Sequence, residues 1–166
     1  MTDVALIING ERRDAPSTFG VVNPATGQVH AQAPDCTPEL LDEAFAAAAA
    51  AYGSWRRDEA ARREALRAAA GAMMAAADTI GPVLTAEQGK PLASAKMECF
   101  AMGYWFNYYA DLEIPRQVIQ DDKRASAEVV RRPMGVVAAI PPWNFPLVLA
   151  AWHLGPALLP ANPQLL

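Results

Sequence analysis

Residues 4–8, Val-Ala-Leu-Ile-Ile, form an unbroken apolar run rich in β-formers. Asn9-Gly10 follows, the dipeptide that best accepts the two positive φ angles of a type I′ turn, so Glu11–Arg13 is expected to return as a polar partner strand. A second strand, turn and strand is expected over Val21–Val29, with Pro24 fixing one turn position and Thr26-Gly27 supplying another. From Thr37 to about Tyr109 the pattern is helical. Thr37-Pro38-Glu39 has the order of an N-cap, a first-position proline and a first-turn acid. The alanine run Ala46–Ala51 lies inside that helix and predicts close packing, because alanine combines high propensity with little side chain. A second helix is expected over about Asp58–Ala77, with Leu66, Ala70, Met73, Ala77 and Ile80 on one stripe. Gly81-Pro82 is expected to open a short helix ending at Glu87-Gln88-Gly89-Lys90-Pro91, with Gly89 as the left-handed terminating residue. The next helix carries Leu92, Ala95, Cys99, Met102, Phe106 and Tyr109 on one face. Met97, Ala101, Tyr104 and Tyr108 cover another, which predicts a helix sandwiched between other elements.

After Asp111 the period falls to two. Arg116–Gln120 and Ala127–Arg132 read as strands flanking the charged turn Asp121–Arg124. Val136–Ile140 is wholly apolar, as expected for a strand buried on both faces of a parallel sheet. Pro146 to about Leu159 reads as the helix that follows. Strand, tight loop and helix make half of a βαβ unit. The expected fold class is therefore α/β: helices plus the first strand-helix unit of an incomplete Rossmann-like parallel sheet.

The chain has 166 residues, 52% of them hydrophobic and 19% charged, with a formal net charge of −4. That suits one globular domain and excludes a disordered chain. The apolar runs stop short of the ~20 residues of a membrane helix, and Met1-Thr2-Asp3 carries no positive leader, so the expected location is cytoplasmic with no membrane partner. The acidic balance argues against nucleic acid. Five arginines lie between Arg56 and Arg67, but three acids interleave with them, so they read as a solvated helix face with Asp58–Arg62 and Glu59–Arg63 pairs. The two cysteines, Cys36 and Cys99, make neither a disulfide framework nor a metal cluster, and no metal is expected.

Candidate chemistry concentrates in Pro141-Pro142-Trp143-Asn144-Phe145, the loop at the carboxyl end of the expected buried strand. Ligands of open α/β sheets bind there. Two roles are open to Asn144. It caps the helix beginning at Pro146, or it presents two uncharged N–H donors to an oxyanion developing on a carbonyl substrate.

The stretch from Arg132 to Pro146, Arg-Pro-Met-Gly-Val-Val-Ala-Ala-Ile-Pro-Pro-Trp-Asn-Phe-Pro, resembles the entry to the cofactor domain of the aldehyde dehydrogenase family. Three earlier segments agree in order and spacing: Leu6–Glu11 with the opening hairpin, Val22–Gly27 with the Asn-Pro-Ala-Thr-Gly turn, and Glu87–Leu92 with the Glu-x-Gly-Lys-Pro helix end. The likeness covers residues 4 to 159. It implies oxidation of an aldehyde to a carboxylic acid through a cysteine thiohemiacetal, with hydride passed to NAD or NADP. It gives Asn144 the oxyanion-donor role and puts Ile140, Pro141, Pro142 and Trp143 beside the nicotinamide cofactor. The strands within about residues 112–132 resemble the family's oligomerisation arm, which implies a homo-oligomer.

The family's nucleophilic cysteine lies in a Gly-Gln-x-Cys segment downstream of the asparagine loop, and no such segment occurs in these residues. The Glu-Leu-Gly-Gly base motif, the glycine-rich phosphate turn and the ribose-binding lysine are missing as well. Cys36 precedes the asparagine loop and Cys99 reads as a core thiol. After Leu159, Pro160–Leu166 departs from the family pattern, and its two prolines oppose helix and central strand. Residues 160–166 are therefore expected to be an aberrant tail left by truncation, through a frameshift or a gene-boundary error. Residues 1–159 would be about a third of a dehydrogenase, inactive alone. The alternative expectation is a non-catalytic assembly module that pairs with a full-length subunit. The aldehyde itself is not specified by these residues.

Overall fold

The computed structural model describes residues 4–166. The opening residues 1–3, where the sequence lacks a positive leader, lie outside the described residues. The first hairpin joins β1 (Leu6–Ile8) to β2 (Glu11–Arg13) in the expected register, Ile8 opposite Glu11. Asn9 and Gly10 take φ of 55° and 76°, the two positive values that the short turn requires. The second hairpin joins β3 (Thr18–Asn23) to β4 (Gln28–Pro34). Its turn closes when the Asn23 carbonyl accepts the Gly27 N–H at 2.8 Å and the Asn23 side chain accepts the Ala25 N–H at 2.9 Å.

Five helices follow. Thr37 caps α1 (Pro38–Trp55) by accepting the Leu40 N–H, and Asp58 caps α2 (Glu59–Ala75) by accepting the Ala61 N–H at 2.9 Å. The chain bends by 71° into α3 (Ala77–Gln88). Gly89, at φ 83°, ends α3 as expected, and Pro24 of the second hairpin turn packs so closely that a Cβ on Gly89 would lie 2.8 Å from it. Then come α4 (Leu92–Asp111), the antiparallel pair β5 (Gln117–Asp121) and β6 (Ser126–Val129), β7 (Val137–Ala138), α5 (Pro146–Leu158) and β8 (Gln164–Leu165).

The core lies where α4 meets α2 on one side and α5 on the other. Leu66 and Ala70 of α2, Met102, Phe106 and Ala110 of α4, Ala150 and Ala151 of α5, and Leu159 form one buried cluster. Small residues set these distances. A Cβ on Gly103 would fall 2.6 Å from Met74, and one on Gly155 would enter the Tyr109 ring. Among the described residues no single helix is long and apolar enough to cross a membrane.

Several expectations are corrected. The alanine run does not pack closely: α1 has no buried residue, and Leu41 and Phe45 stay 47% and 40% exposed. Alanine propensity, the Thr37 cap and edge contacts such as Arg13–Glu43 at 2.9 Å hold this helix rather than a buried face, because alanine contributes little area for a neighbour to cover. The third helix begins at Ala77, not at Gly81-Pro82; Gly81 is buried inside it because a Cβ there would meet Lys96 of α4 at 2.7 Å. The helix α4 is sandwiched between other elements as expected, with α2 and α5 on its two sides, but the second apolar face named for it is not the covered one, since Met97, Tyr104 and Tyr108 lie in the open. The arginine segment is not wholly solvated. Arg62 is buried, donating to the Leu159 carbonyl at 2.8 Å and the Trp55 carbonyl at 2.7 Å. Arg63 does pair with Glu59, at 2.7 Å.

The expected five-residue buried strand is shorter and more exposed. Only Val137–Ala138 is strand, Ala139 is buried, and Ile140 is 87% exposed. That strand does not stand alone, because Pro160–Leu166 folds onto it. Ala161 turns the chain at φ 74°, and β8 pairs parallel with β7, Val137 opposite Gln164. The Asn162 side chain accepts the Met134 and Gly135 N–H groups at 2.6 and 3.0 Å. Pro163 does not oppose this strand, because it precedes the first paired residue and contributes its carbonyl to the Val137 N–H.

Candidate active site

Pro141–Phe145 leaves β7 at its carboxyl end and enters α5. Pro146 occupies the first position of that helix, where its missing N–H costs nothing. Phe145 is the residue at the cap position, and no side chain of the loop caps the helix. Asn144 therefore does not spend its carboxamide on α5. Its side chain lies in an exposed loop beside Trp143, which is 79% exposed, and Ile140. Pro141 is half-buried and Pro142 exposed, so the five candidate residues share one solvent-facing segment.

The backbone of that segment is held from beneath. The Asn144 carbonyl accepts Gln88 Nε2 at 3.0 Å and Lys90 Nζ at 3.1 Å, both from the end of α3. Lys90 also lies 4.5 Å from the centre of the Phe145 ring, a cation–π distance, and forms an ion pair with Glu98 of α4. Burial pulls the Lys90 ammonium below its ordinary pKa. Glu98, a buried acid on the apolar face of α4, completes the arrangement by accepting the Leu147 N–H at 3.2 Å. Glu98 thus supplies the cap that the loop itself does not.

Gln88, Lys90 and Glu98 are the residues missed in the sequence. Gln88 and Lys90 stand in a motif read only as a helix end. Glu98 was detectable as a lone acid between Ala95, Cys99 and Met102 on an apolar stripe.

The hydrogen bonds of the two thiols go elsewhere, Cys36 to the Thr37 carbonyl and Cys99 to the Ala95 carbonyl. Cys99 is fully buried, and burial raises its thiol pKa, the opposite of what a nucleophile needs. Cys36 is exposed beside the start of α1. Among the described residues no group of three or more His, Cys, Asp or Glu side chains converges as a metal site. An open concavity of about 420 Å³ is lined by Tyr104, Asn107, Tyr108, Asp111, Leu112 and Glu113, none of which belongs to the asparagine loop. Exposed Ile140 and Trp143 flank backbone at the carboxyl end of a parallel strand, the place where open α/β sheets bind ligands.

A parallel strand, a proline-bounded loop with a free carboxamide and a following helix define the first unit of a dinucleotide-type α/β domain. The chain belongs to the aldehyde dehydrogenase family, whose model matches residues 11–166, past the point at Pro160 where the likeness was expected to fail. It is 41% identical over 162 residues to glutarate-semialdehyde dehydrogenase of Pseudomonas putida, covering 91% of this chain and 33% of that protein. Among solved structures it resembles an E. coli NADP dependent enzyme with a TM-score of 0.90 at 32% identity, covering 96% of this chain and 34% of that one. A Staphylococcus aureus betaine aldehyde dehydrogenase in complex with NAD+ superposes with a TM-score of 0.87 at 26% identity, again over 96% and 34%. The chain spans about a third of the length of the curated relatives it matches. Its fold is the N-terminal part of the aldehyde dehydrogenase fold, helices and small sheets together.

Proposed function

We propose that this chain contributes the oxyanion-donor loop and one wall of the cofactor site to an NAD(P)-dependent aldehyde dehydrogenase. The observation that carries the reading is the free carboxamide of Asn144 on a loop whose backbone is anchored through its own carbonyl. When a nucleophile adds to an aldehyde, negative charge gathers on the former carbonyl oxygen. The Asn144 N–H group donates to that oxygen, and the donation strengthens as the charge grows. Ile140, Pro141, Pro142 and Trp143 border the nicotinamide, and NAD or NADP, when bound, accepts the hydride that leaves the substrate carbon. The anchored loop keeps the donor in place without reorganisation during the reaction.

The 166 residues do not oxidise aldehydes by themselves, because their two thiols are Cys99, sealed in the core, and Cys36, outside the loop. Nucleophile and base come from further protein. The β5–β6 hairpin, with all five residues of β5 exposed, serves as the pairing arm between subunits.

The experiment is a chimera in which this chain replaces the matching third of the Pseudomonas putida glutarate-semialdehyde dehydrogenase. The expected result is aldehyde-dependent reduction of NAD or NADP by the chimera and none by the 166-residue chain. Asn144→Ala in the chimera is expected to lower kcat roughly 100-fold or more with little change in KM. An active Asn144→Ala chimera removes the oxyanion role, and turnover by the isolated chain removes the claim that it lacks a nucleophile.

A further inference from the structure

The loop that carries Asn144 is not held by its prolines alone. Its Asn144 carbonyl takes two donors, Gln88 Nε2 at 3.0 Å and Lys90 Nζ at 3.1 Å, while the carboxamide of the same residue takes none from the helix it precedes. Lys90 is 10% exposed at its side chain and Glu98 4%, so this ion pair is a buried one. A buried pair is seldom retained for stability, since an apolar pair of similar shape often does as well. What this pair does is geometric. Glu98 grips the Leu147 N–H on one side of the loop, and Lys90 grips the Asn144 carbonyl on the other and covers the Phe145 ring. The two ends of the Asn144–Leu147 segment are thereby tied to one salt bridge spanning the end of α3 and the middle of α4.

We infer that Gln88, Lys90 and Glu98 are positioning residues for the oxyanion donor: they lock the Asn144 peptide while its carboxamide stays uncommitted to α5, and they act without touching substrate. The inference rests on the donor role proposed for Asn144, but the locking itself is measurable apart from it. The amide of Asn144 donates from a side chain only one carbon from the backbone, so a rotation of its peptide displaces the donor directly. Displacements of about 1 Å at a reacting group cost up to roughly 100-fold in rate.

The test uses the double variant Lys90→Met/Glu98→Gln, which removes both charges together and so leaves no orphaned buried ion. The Glu98→Gln change keeps a side-chain oxygen for the Leu147 N–H. Gln88→Ala removes one donor at a partly exposed site and serves as the milder variant. In the 166-residue chain, hydrogen exchange of the peptide spanning Asn144–Val148 is expected to accelerate at least tenfold in the double variant and less in Gln88→Ala, with exchange of the α2–α4 core unchanged. In the chimera, kcat is expected to fall roughly tenfold to 100-fold in the double variant with KM within about twofold.

Unchanged exchange in the loop overturns the locking. Faster exchange across the whole core, with kcat and KM both degraded in Gln88→Ala too, overturns a positioning role in favour of a merely structural one. If Asn144→Ala leaves kcat intact while the loop still loosens in the double variant, the donor reading fails and the locking stands.

Discussion

Arg62 joins three helices through two carbonyl groups. Its Nη1 takes the Trp55 carbonyl at the end of α1, its Nε takes the Leu159 carbonyl just past α5, and its Cα sits in α2. Replacing it by alanine leaves two inward-facing carbonyls without their donor, so Arg62→Ala is expected to cost about 2–4 kcal/mol in urea denaturation. Arg67→Ala is the control: its partner Asp111 is as close, at 2.6 Å, but both side chains are more than half exposed, and the expected loss is under about 1 kcal/mol. Ala161 is a second residue with a calculable effect. It holds φ 74°, a region that disfavours a Cβ, and Ala161→Gly is expected to gain up to about 1 kcal/mol in the same assay. The sequence pattern made Gly89 and the Asn9-Gly10 turn legible because each rests on local backbone chemistry, whereas for Asn144 the pattern alone left two roles open. The roles of Arg62 and Lys90 were not legible because their carbonyl partners lie 97 and 54 residues away, and a charge pattern read along one helix cannot report a carbonyl arriving from another; Glu98 stood out as an acid on an apolar stripe, but nothing along its helix announced the Leu147 N–H 49 residues on.

At the scale of elements, the β5–β6 hairpin depends on its turn. Asp122 accepts from the Gln120 side chain at 3.0 Å and from the Arg124 and Ala125 N–H groups at 2.7 and 3.1 Å. These bonds, led by the one from Gln120, hold its carboxyl below the ordinary range. A carboxylate with a lowered native pKa stabilises the folded turn above its unfolded value of about 3.9, and that contribution is lost as pH falls through the lowered native value. The hairpin is therefore expected to fray in acid before the helical core does, with Asp122→Asn abolishing the acid-dependent step; hydrogen exchange of β5 amides between neutral pH and pH about 3 reads both. Elements with a cap or turn signature, such as Thr37 before α1, were readable from sequence. Burial was less so. The all-apolar run Val136–Ile140 and the alanine run of α1 both predicted covered elements, yet the first is only partly covered and the second largely open, because apolar composition tells what a segment can bury and not what is there to bury it.

For the whole molecule, surface area turns that openness into a quantity. The exposed area is 10638 Å², whereas a compact monomer of 17.8 kDa is expected to show about 8000 Å². The surplus is not spread evenly among polar side chains. Leu41 and Phe45 on α1, Met97, Tyr104 and Tyr108 on α4, Val118 and Ile119 on β5, and Ile140 and Trp143 on the site loop are all large, apolar and exposed. Exposed apolar side chains in this number drive association or bind whatever covers them. The 166-residue chain is therefore expected to bind a hydrophobic dye at neutral pH and to self-associate with rising concentration in sedimentation. In the chimera, where the rest of the dehydrogenase is expected to cover these faces, dye binding and concentration dependence are expected to fall together. The pairing of the two readouts matters, because dye binding alone also reports a loosely packed core. A chain that melts sharply, at a temperature independent of concentration and without dye binding, would show that the α2–α4–α5 core suffices and that the open faces of α1, α4 and β5 need no cover.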